Sequence, residues 1–228
     1  MIKDNLSLIK RNIEAACKNS PNNVEGITII GVTKTIPVDR VKELQENGIC
    51  DFGENRVQEL MSKHEFFSNA NWHLIGHLQT NKVKYIIDKV LLIHSVDSLK
   101  LAAEINKHAK QKNIIMDILL ELNIAEEETK FGLGENGAYG LIKELKSFNN
   151  IRVKGLMTVA PFVGDPEENR PVFKKMYDIF NNIKEIKQPN LDISKLSMGM
   201  TNDYSIAVEE GSNMVRIGTG IFGSRGAL

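Results

Sequence analysis

Short apolar runs alternate with amphipathic stretches along most of the chain, and this alternation predicts the fold. The apolar runs are short, and turn residues bound several of them, as is typical of strands buried on both faces of a parallel sheet. The predicted strands cover residues 27–33, 50–53, 72–75, 90–94, 114–121, 151–156, 193–197 and 214–217.

Between these runs, apolar residues recur at spacings of three and four, which predicts helices that bury one face. The first helix is predicted over residues 1–18, before the first strand. We expect Thr80 and the pair Ser95/Asp97 to cap two of the later helices. The stripes that predict the later helices are Val38, Val41 and Leu44; Leu99, Ala102, Ala103 and Ile105; Leu141, Ile142, Leu145 and Phe148; and Val172, Phe173, Met176, Ile179, Phe180, Ile183 and Ile186.

Eight strands that alternate with helices predict an α/β protein, a single (β/α)8 barrel of the TIM type with an extra N-terminal helix. The competing arrangement is a doubly wound open sheet. No proline- or serine-rich linker divides the chain, so we expect one domain over residues 1–228.

Composition narrows the range of partners. Lysine plus arginine and aspartate plus glutamate number 29 each, a balance that argues against nucleic acid or an anionic membrane as the main ligand. Two cysteines, Cys17 and Cys50, are too few for a disulfide framework or a four-cysteine zinc site. With no apolar signal core and no run near the roughly 20 apolar residues that span a bilayer, the sequence predicts a soluble cytoplasmic protein.

Lys34 ends the first predicted strand, and it is the first candidate for chemistry. A lysine at the carboxyl end of a barrel strand points into the face where such barrels build their sites. Desolvation there lowers the pKa of an amine and makes it a nucleophile toward carbonyl compounds. The alternative is a lysine that marks the exit of the strand into solvent.

The loops after the last two predicted strands are rich in glycines and hydroxyls. Ser197, Gly218 and Thr219 lie where many barrels bind phosphate, although the glycines also fit plain tight turns. Arg216 lies within the last strand. If it points inward, it sets a permanent cation beside Lys34 that suits an acceptor nitrogen or a carboxylate; if it points outward, it pairs with a helix carboxylate.

Two motifs in the middle of the chain do not indicate a site. The run from Gly132 to Gly137 matches G-x-G-x-x-G, but it does not follow a strand directly, so we interpret it as the glycine-rich start of a helix. His73 and His77 are four residues apart, yet they lie on a strand and its exit with no third ligand nearby. We interpret His73 as a core histidine and expect His77 at the barrel mouth.

Six ordered segments resemble the pyridoxal phosphate homeostasis family, whose members are similar to the barrel domain of alanine racemase without its second domain. The resemblance covers nearly the whole chain. The segments are Gly31-Val32-Thr33-Lys34-Thr35, Phe52-Gly53-Glu54-Asn55-Arg56-Val57-Gln58-Glu59, Trp72-His73-Leu74-Ile75-Gly76-His77-Leu78-Gln79-Thr80-Asn81-Lys82, Gly155-Leu156-Met157, Leu196-Ser197-Met198-Gly199-Met200-Thr201-Asn202-Asp203 and Val215-Arg216-Ile217-Gly218-Thr219-Gly220-Ile221-Phe222-Gly223.

The resemblance implies a role for each matching residue toward pyridoxal 5'-phosphate (PLP). Lys34 would hold PLP as a Schiff base. Its phosphate would be bound by Ser197, Gly218 and Thr219 through hydroxyls and backbone amides.

Around the ring, the resemblance implies that Arg216 faces the pyridine nitrogen, that Asn55 borders the cofactor and that Met198 packs nearby. An arginine at that nitrogen disfavours ring protonation and weakens the cofactor as an electron sink. The second acid/base group of the related racemases comes from another domain and subunit. We therefore expect a monomeric PLP-binding protein of vitamin B6 homeostasis that buffers or delivers the cofactor, with PLP-dependent apoenzymes as candidate recipients.

The alternative is an enzyme. One form is a PLP-dependent amino-acid racemase of weak activity. Another is a Schiff-base aldolase without cofactor that uses Lys34 or Lys154, although we interpret Lys154 as a solvent-facing lysine of the sixth strand.

Overall fold

The computed structural model describes residues 1–22, 26–125, 127 and 130–223. Eight parallel strands form a closed barrel in the order β1 to β8, so the predicted barrel is confirmed and the open sheet is wrong. Residues 224–228, which the predicted single domain includes, lie outside the described residues. The strands are β1 Thr28–Val32, β2 Asp51–Glu54, β3 Asn71–Leu74, β4 Leu92–Val96, β5 Met116–Leu122, β6 Ile151–Thr158, β7 Leu191–Ser197 and β8 Met214–Ile217.

The first and last strands close the barrel. Thr28 pairs with Met214 and Gly31 pairs with Ile217, both in parallel register. The carboxyl ends of all eight strands therefore open at one mouth, where barrel enzymes build their sites.

Helices surround the barrel, and the helix predicted before the first strand is present as α1. The helices are α1 Ile2–Asn19, α2 Val38–Glu46, α3 Val57–His64, α4 Val83–Ile86, α5 Leu99–Gln111, α6 Glu135–Glu144, α7 Arg170–Lys184, α8 Tyr204–Glu209 and α9 Thr219–Phe222. Asn5 and Asn12 of α1 donate hydrogen bonds to the Ile221 carbonyl of α9 and the Tyr204 hydroxyl of α8. These hydrogen bonds hold the N-terminal helix α1 against α8 and α9. Within the described residues, no helix has the length and apolar character needed to cross a membrane.

Apolar side chains fill two layers of the protein. The larger layer lies between the barrel and the helices, and there Phe52 meets Trp72 edge to face at 5.4 Å between ring centroids. The smaller layer fills the barrel itself with Ile30, Leu92, Leu119, Met157 and Met214. His94, Glu121 and Arg216, two positions after Leu92, Leu119 and Met214, also face the barrel axis, because strand side chains alternate.

The predicted caps are wrong. Ser98 caps α5, because its hydroxyl accepts from the Leu101 N–H, whereas Ser95 is buried inside β4. Thr80 lies within a short 3-10 helix, Thr80–Lys82, and does not cap it.

Candidate functional site

A cavity of about 220 Å³ opens at the carboxyl mouth of the barrel, and Lys34 lies on its wall. Lys34 is the second residue after β1 and is half-buried. Arg216 of β8 lines the same cavity, so it points inward as one of the two sequence interpretations expects. The other lining residues are Val32, Pro161, Phe162, Val163, Pro166, Asn169, Met200, Thr201, Asn202, Asp203, Gly218 and Thr219.

Charged side chains fix the turn that carries Lys34. Thr35 has a left-handed backbone with φ of 62°, which is uncommon for a β-branched residue. Its N–H donates to Glu59 of α3, which also accepts from the Lys63 ammonium at 2.8 Å. Lys63 further donates to the Thr33 carbonyl at 2.5 Å, so α3 contacts the chain on both sides of Lys34.

Glu54, at the end of β2, completes this network. It is fully buried, and one carboxylate oxygen accepts from the Lys63 ammonium at 2.8 Å and the Thr33 hydroxyl at 2.6 Å. Burial raises the pKa of Glu54, and the hydrogen bond from Lys63 opposes that rise. The side chains of Glu54, Glu59 and Lys63 thus contact the residues on either side of Lys34.

Hydroxyls and glycines form one end of the cavity. The Thr219 hydroxyl donates to the Thr201 hydroxyl at 3.2 Å, and the Gly220 N–H donates to the same Thr201 oxygen at 3.1 Å. Gly199 lets the β7 loop turn toward this end: its φ is +92°, and a Cβ there would lie 2.6 Å from the Ala207 methyl. Paired hydroxyls at a glycine-rich strand end suit an anion with several acceptor oxygens.

Arg216 supplies the positive charge of the cavity. Its side chain is almost fully buried and donates to the Ser197 carbonyl at 2.8 Å, the Ser197 hydroxyl at 2.6 Å and the Thr158 carbonyl at 2.8 Å. Burial lowers its pKa to about 10, against the opposing charges of Glu121 and Asp203. It is therefore a cation at neutral pH, and no carboxylate of the described residues forms an ion pair with it.

Ser197 and Met198 do not line the wall of the cavity, although the Ser197 hydroxyl contacts Arg216, which does. Ser197 faces the barrel axis, fully buried, and Met198 faces the opposite way into the layer beneath the helices. The expected contact of Ser197 with phosphate and the expected packing of Met198 on the cofactor stay predictions. Thr201 and Met200, from the loop beyond the strand, line the cavity instead.

Asn55 also lies outside the wall of this cavity. It borders a neighbouring groove of about 470 Å³ at the same mouth, with His77 and Gln79. Gly76 allows this packing, because a Cβ on it would lie 2.5 Å from the Asn55 carbonyl oxygen. His77 is at the mouth as expected, stacked on Phe131 at 3.9 Å between ring centroids.

A buried carboxyl group, which the sequence analysis missed, lies beside Arg216. Glu121 points into the barrel from β5 and lines a small cavity of about 160 Å³. Burial raises its pKa to about 7; the charge of Asp97 adds to the rise and that of Arg216 opposes it. One carboxyl oxygen of Glu121 is buried without a hydrogen-bond partner among the described residues. It is a group that can change protonation near neutral pH.

The structure also places the other residues that the sequence analysis singled out. Lys154 pairs with Asp192 at 2.5 Å and does not line the Lys34 cavity. His73 is buried and hydrogen-bonded, and the described residues contain no cluster with the ligands of a metal site. The glycine-rich run starts a helix, since Gly134 is the residue before α6.

The described residues fit a phosphorylated pyridine aldehyde. The cavity brings together an amine for the aldehyde, a buried cation for an acceptor on the ring, and two hydroxyls for the phosphate. Of the residues expected to bind it, Lys34, Arg216, Gly218 and Thr219 share this cavity, whereas Asn55, Ser197 and Met198 do not.

Known proteins resemble the chain over almost its full length. Residues 5–226 match the family described as "Alanine racemase, N-terminal domain". The chain is 40% identical over 224 residues to the pyridoxal phosphate homeostasis protein of Aquifex aeolicus, with 97% of each chain covered. It is 35% identical to the protein of the same name from Haemophilus influenzae, with 98% of this chain and 96% of the relative covered.

Among solved structures, the fold is similar to that of PipY from Synechococcus elongatus PCC7942 with PLP bound. The TM-score is 0.85 at 27% sequence identity, and the match covers 98% of this chain and 100% of PipY.

Proposed function

The chain belongs to the family of pyridoxal phosphate homeostasis proteins and carries the alanine racemase N-terminal domain, and on this premise we propose that it binds PLP on Lys34 as a Schiff base. Its role is to buffer PLP inside the cell or deliver it to other proteins. The observation that carries the proposal is the single cavity that joins Lys34, Arg216 and the hydroxyls of Thr201 and Thr219.

The two ends of the cavity match the two ends of the cofactor. The Thr201 and Thr219 hydroxyls, with the backbone at Gly218, bind the phosphate, because charge-assisted hydrogen bonds to an anion are stronger than neutral ones. Lys34 meets the aldehyde carbon. The relative with PLP bound, PipY, supports this assignment through its similar fold.

Arg216 argues against transamination or decarboxylation at this site. Its N–H groups would face the pyridine nitrogen and would oppose protonation there, because two cations would meet. When bound, PLP supplies an electron sink, and that sink is weaker with an unprotonated ring. The homeostasis role of the named relatives agrees with binding without substantial turnover.

The second candidate is a weak PLP-dependent amino-acid racemase, and Glu121 is the observation that favours it. A carboxyl group with a pKa raised to about 7 by burial can accept or release a proton at neutral pH. It lies in a neighbouring cavity rather than on the wall shared by Lys34 and Arg216, which makes this candidate the weaker one.

The protein acts as a monomer in the cytoplasm in this proposal. One chain supplies the lysine, the arginine and the hydroxyls, so no second subunit is needed to complete the cavity. Cys17 and Cys50 are free thiols, as is usual in a reducing compartment. The recipients are PLP-dependent apoenzymes.

A transfer experiment tests the role. The protein is loaded with PLP, freed of excess cofactor by gel filtration and mixed with an aminotransferase stripped of PLP, with and without a phosphatase that destroys PLP in solution. Reactivation that survives the phosphatase indicates direct delivery, and reactivation that the phosphatase abolishes indicates buffering. A protein that keeps no PLP through gel filtration, or that keeps as much as its Lys34→Ala variant, contradicts the proposal.

A further inference from the structure

A chain of four hydrogen-bonded contacts runs through the barrel from Asp51 to Arg216. The Asp51 carboxylate lies 3.0 Å from His73 Nε2, and His73 Nδ1 lies 3.0 Å from His94 Nε2. His94 Nδ1 lies 3.1 Å from the Ser197 hydroxyl, which in turn accepts from Arg216 at 2.6 Å. The four residues from His73 to Arg216 are almost fully buried, whereas Asp51 is partly exposed at the start of β2.

The strand pattern explains why these side chains meet. Each lies on a different strand, and each faces the barrel axis because its neighbours along the strand face the helices. Ile93 and Val215, next to His94 and Arg216, belong to the outer apolar layer, for example. The hydrogen-bonded residues thus cross the barrel interior, and they reach the ligand cavity only at Arg216.

One arrangement of protons, with a single proton on each histidine, satisfies every hydrogen bond between Asp51 and Arg216. A guanidinium group only donates, so the Ser197 oxygen accepts from Arg216 and its single O–H is left to donate to His94 Nδ1. An ionised carboxylate only accepts, so His73 Nε2 carries the proton that faces Asp51. The contact between the two rings is then satisfied when His94 Nε2 donates to His73 Nδ1. In this arrangement each ring carries one proton, and that proton lies on Nε2.

The surroundings of His94 agree with a neutral ring. Burial lowers its pKa well below the usual value, and the charge of Arg216 lowers it further. Burying an isolated cation is costly. The hydrogen-bonded residues from Ser197 to Asp51 give the Arg216 guanidinium a series of aligned dipoles that ends in a carboxylate.

We propose that Asp51, His73 and His94 are positioning residues that act through Ser197 to hold the Arg216 guanidinium toward the ring of the bound ligand. None of the three lines the cavity. The ligand part of this proposal rests on the proposed function; the direction of the hydrogen bonds does not.

The direction is tested on the ligand-free wild-type protein. Long-range ¹H–¹⁵N spectra of protein labelled with ¹⁵N-histidine report which ring nitrogen carries the proton, and His94→Phe and His73→Phe assign the signals. At pH 7 we expect both rings to be neutral with the proton on Nε2. A proton on Nδ1 of His94, or a doubly protonated ring at either position, overturns the directed chain even if the protein binds PLP.

The positioning role is tested with a PLP analogue whose ring nitrogen is replaced by carbon. His94→Phe keeps the size of the ring and removes both nitrogens, so we expect PLP affinity to fall about tenfold while affinity for the analogue stays within about twofold. Met157→Leu, in the apolar layer of the same barrel, should leave both affinities unchanged. Equal losses for both ligands, or no loss for PLP, overturn the role of His94. If the wild type binds neither ligand, the proposed function fails, and the spectra still test the direction of the hydrogen bonds between Asp51 and Arg216.

Discussion

The Thr219 hydroxyl donates a hydrogen bond of 3.2 Å to the Thr201 hydroxyl, and this contact joins the loop after β7 to the start of α9 after β8. The two residues are 18 positions apart in sequence, and both line the cavity that contains Lys34. The pair forms the end of the cavity where we place the phosphate.

Replacing either hydroxyl should weaken binding of the phosphorylated cofactor. Thr219→Val and Thr201→Val each remove a hydrogen bond to an anion, which is worth about 1.5–3 kcal/mol. The PLP affinity measured by calorimetry should fall roughly tenfold or more, and the affinity for unphosphorylated pyridoxal should change little. Thr80→Val, in the 3-10 helix away from the cavity, serves as the control. The assignment fails if both ligands lose the same affinity.

Lys63 should be essential to stability. The Lys63→Met variant leaves the carboxylate of the fully buried Glu54 without its ion-pair partner, and breaking a buried pair costs about 3–5 kcal/mol. Urea unfolding should show a loss of that size in the free energy of unfolding, and Glu54→Gln in the same chain should recover part of it. Lys107→Met, whose pair with Glu104 is exposed, should cost less than about 1 kcal/mol. Equal losses at Lys63 and Lys107 would count against the buried network.

Glu121 should make stability fall as pH rises toward neutrality. Burial raises its pKa in the folded state from the ordinary value of 4.5 to about 7, so the folded protein holds this proton more tightly than the unfolded chain does. The stabilisation is complete below about pH 4.5 and is lost as pH rises through about 7, a change of roughly 3 kcal/mol.

The Glu121→Gln variant cannot ionise at this position, so its free energy of unfolding should rise relative to wild type between pH 5 and pH 8. Glu144→Gln, at an exposed carboxylate of α6, should follow the wild-type curve. Parallel curves for wild type and Glu121→Gln would show that Glu121 ionises normally in the folded protein.

The PLP-loaded protein should turn over amino acids slowly. Incubation with common L-amino acids in deuterated water should give little D-isomer, because an unprotonated ring is a weak electron sink. Slow exchange at Cα without inversion remains compatible, since Lys34 can move a proton on one face. Racemisation at about 1 s⁻¹ or faster, within the ordinary enzyme range, would favour the racemase candidate. Loss of that activity in Glu121→Gln but not in Glu144→Gln would then identify the second base.

The barrel could be predicted from sequence because its strands are apolar on both faces. Each of the eight predicted runs overlaps a strand of the structure, with ends that differ by a few residues. The β4 strand shows the limit: the pattern predicts it over 90–94, and it lies at Leu92–Val96. Ser95, the first strand residue beyond the predicted run, is polar and fully buried, and an apolar pattern does not indicate such a residue.

The site was less predictable, because it depends on which residue follows the strand end and on which way it faces. Ser197 is the last residue of β7 and faces the barrel axis, whereas Thr201 lies four positions later and lines the cavity. The sequence analysis names Ser197 for the phosphate and does not single out Thr201. Barrel sites are built mainly from the loops after the strands, and that rule favours Thr201. His94 and Glu121 carried no local signal, since their partners come from other strands.

The central claim is that Lys34 holds PLP covalently, and borohydride reduction followed by peptide mass spectrometry tests it most directly. The protein is incubated with PLP, reduced and digested, and the modified peptide is sequenced. A phosphopyridoxyl group on Lys34, absent from Lys34→Ala and unchanged in Lys154→Ala, is the predicted result. Modification mainly on Lys154 or Lys63, or no stable adduct at all, would contradict the claim.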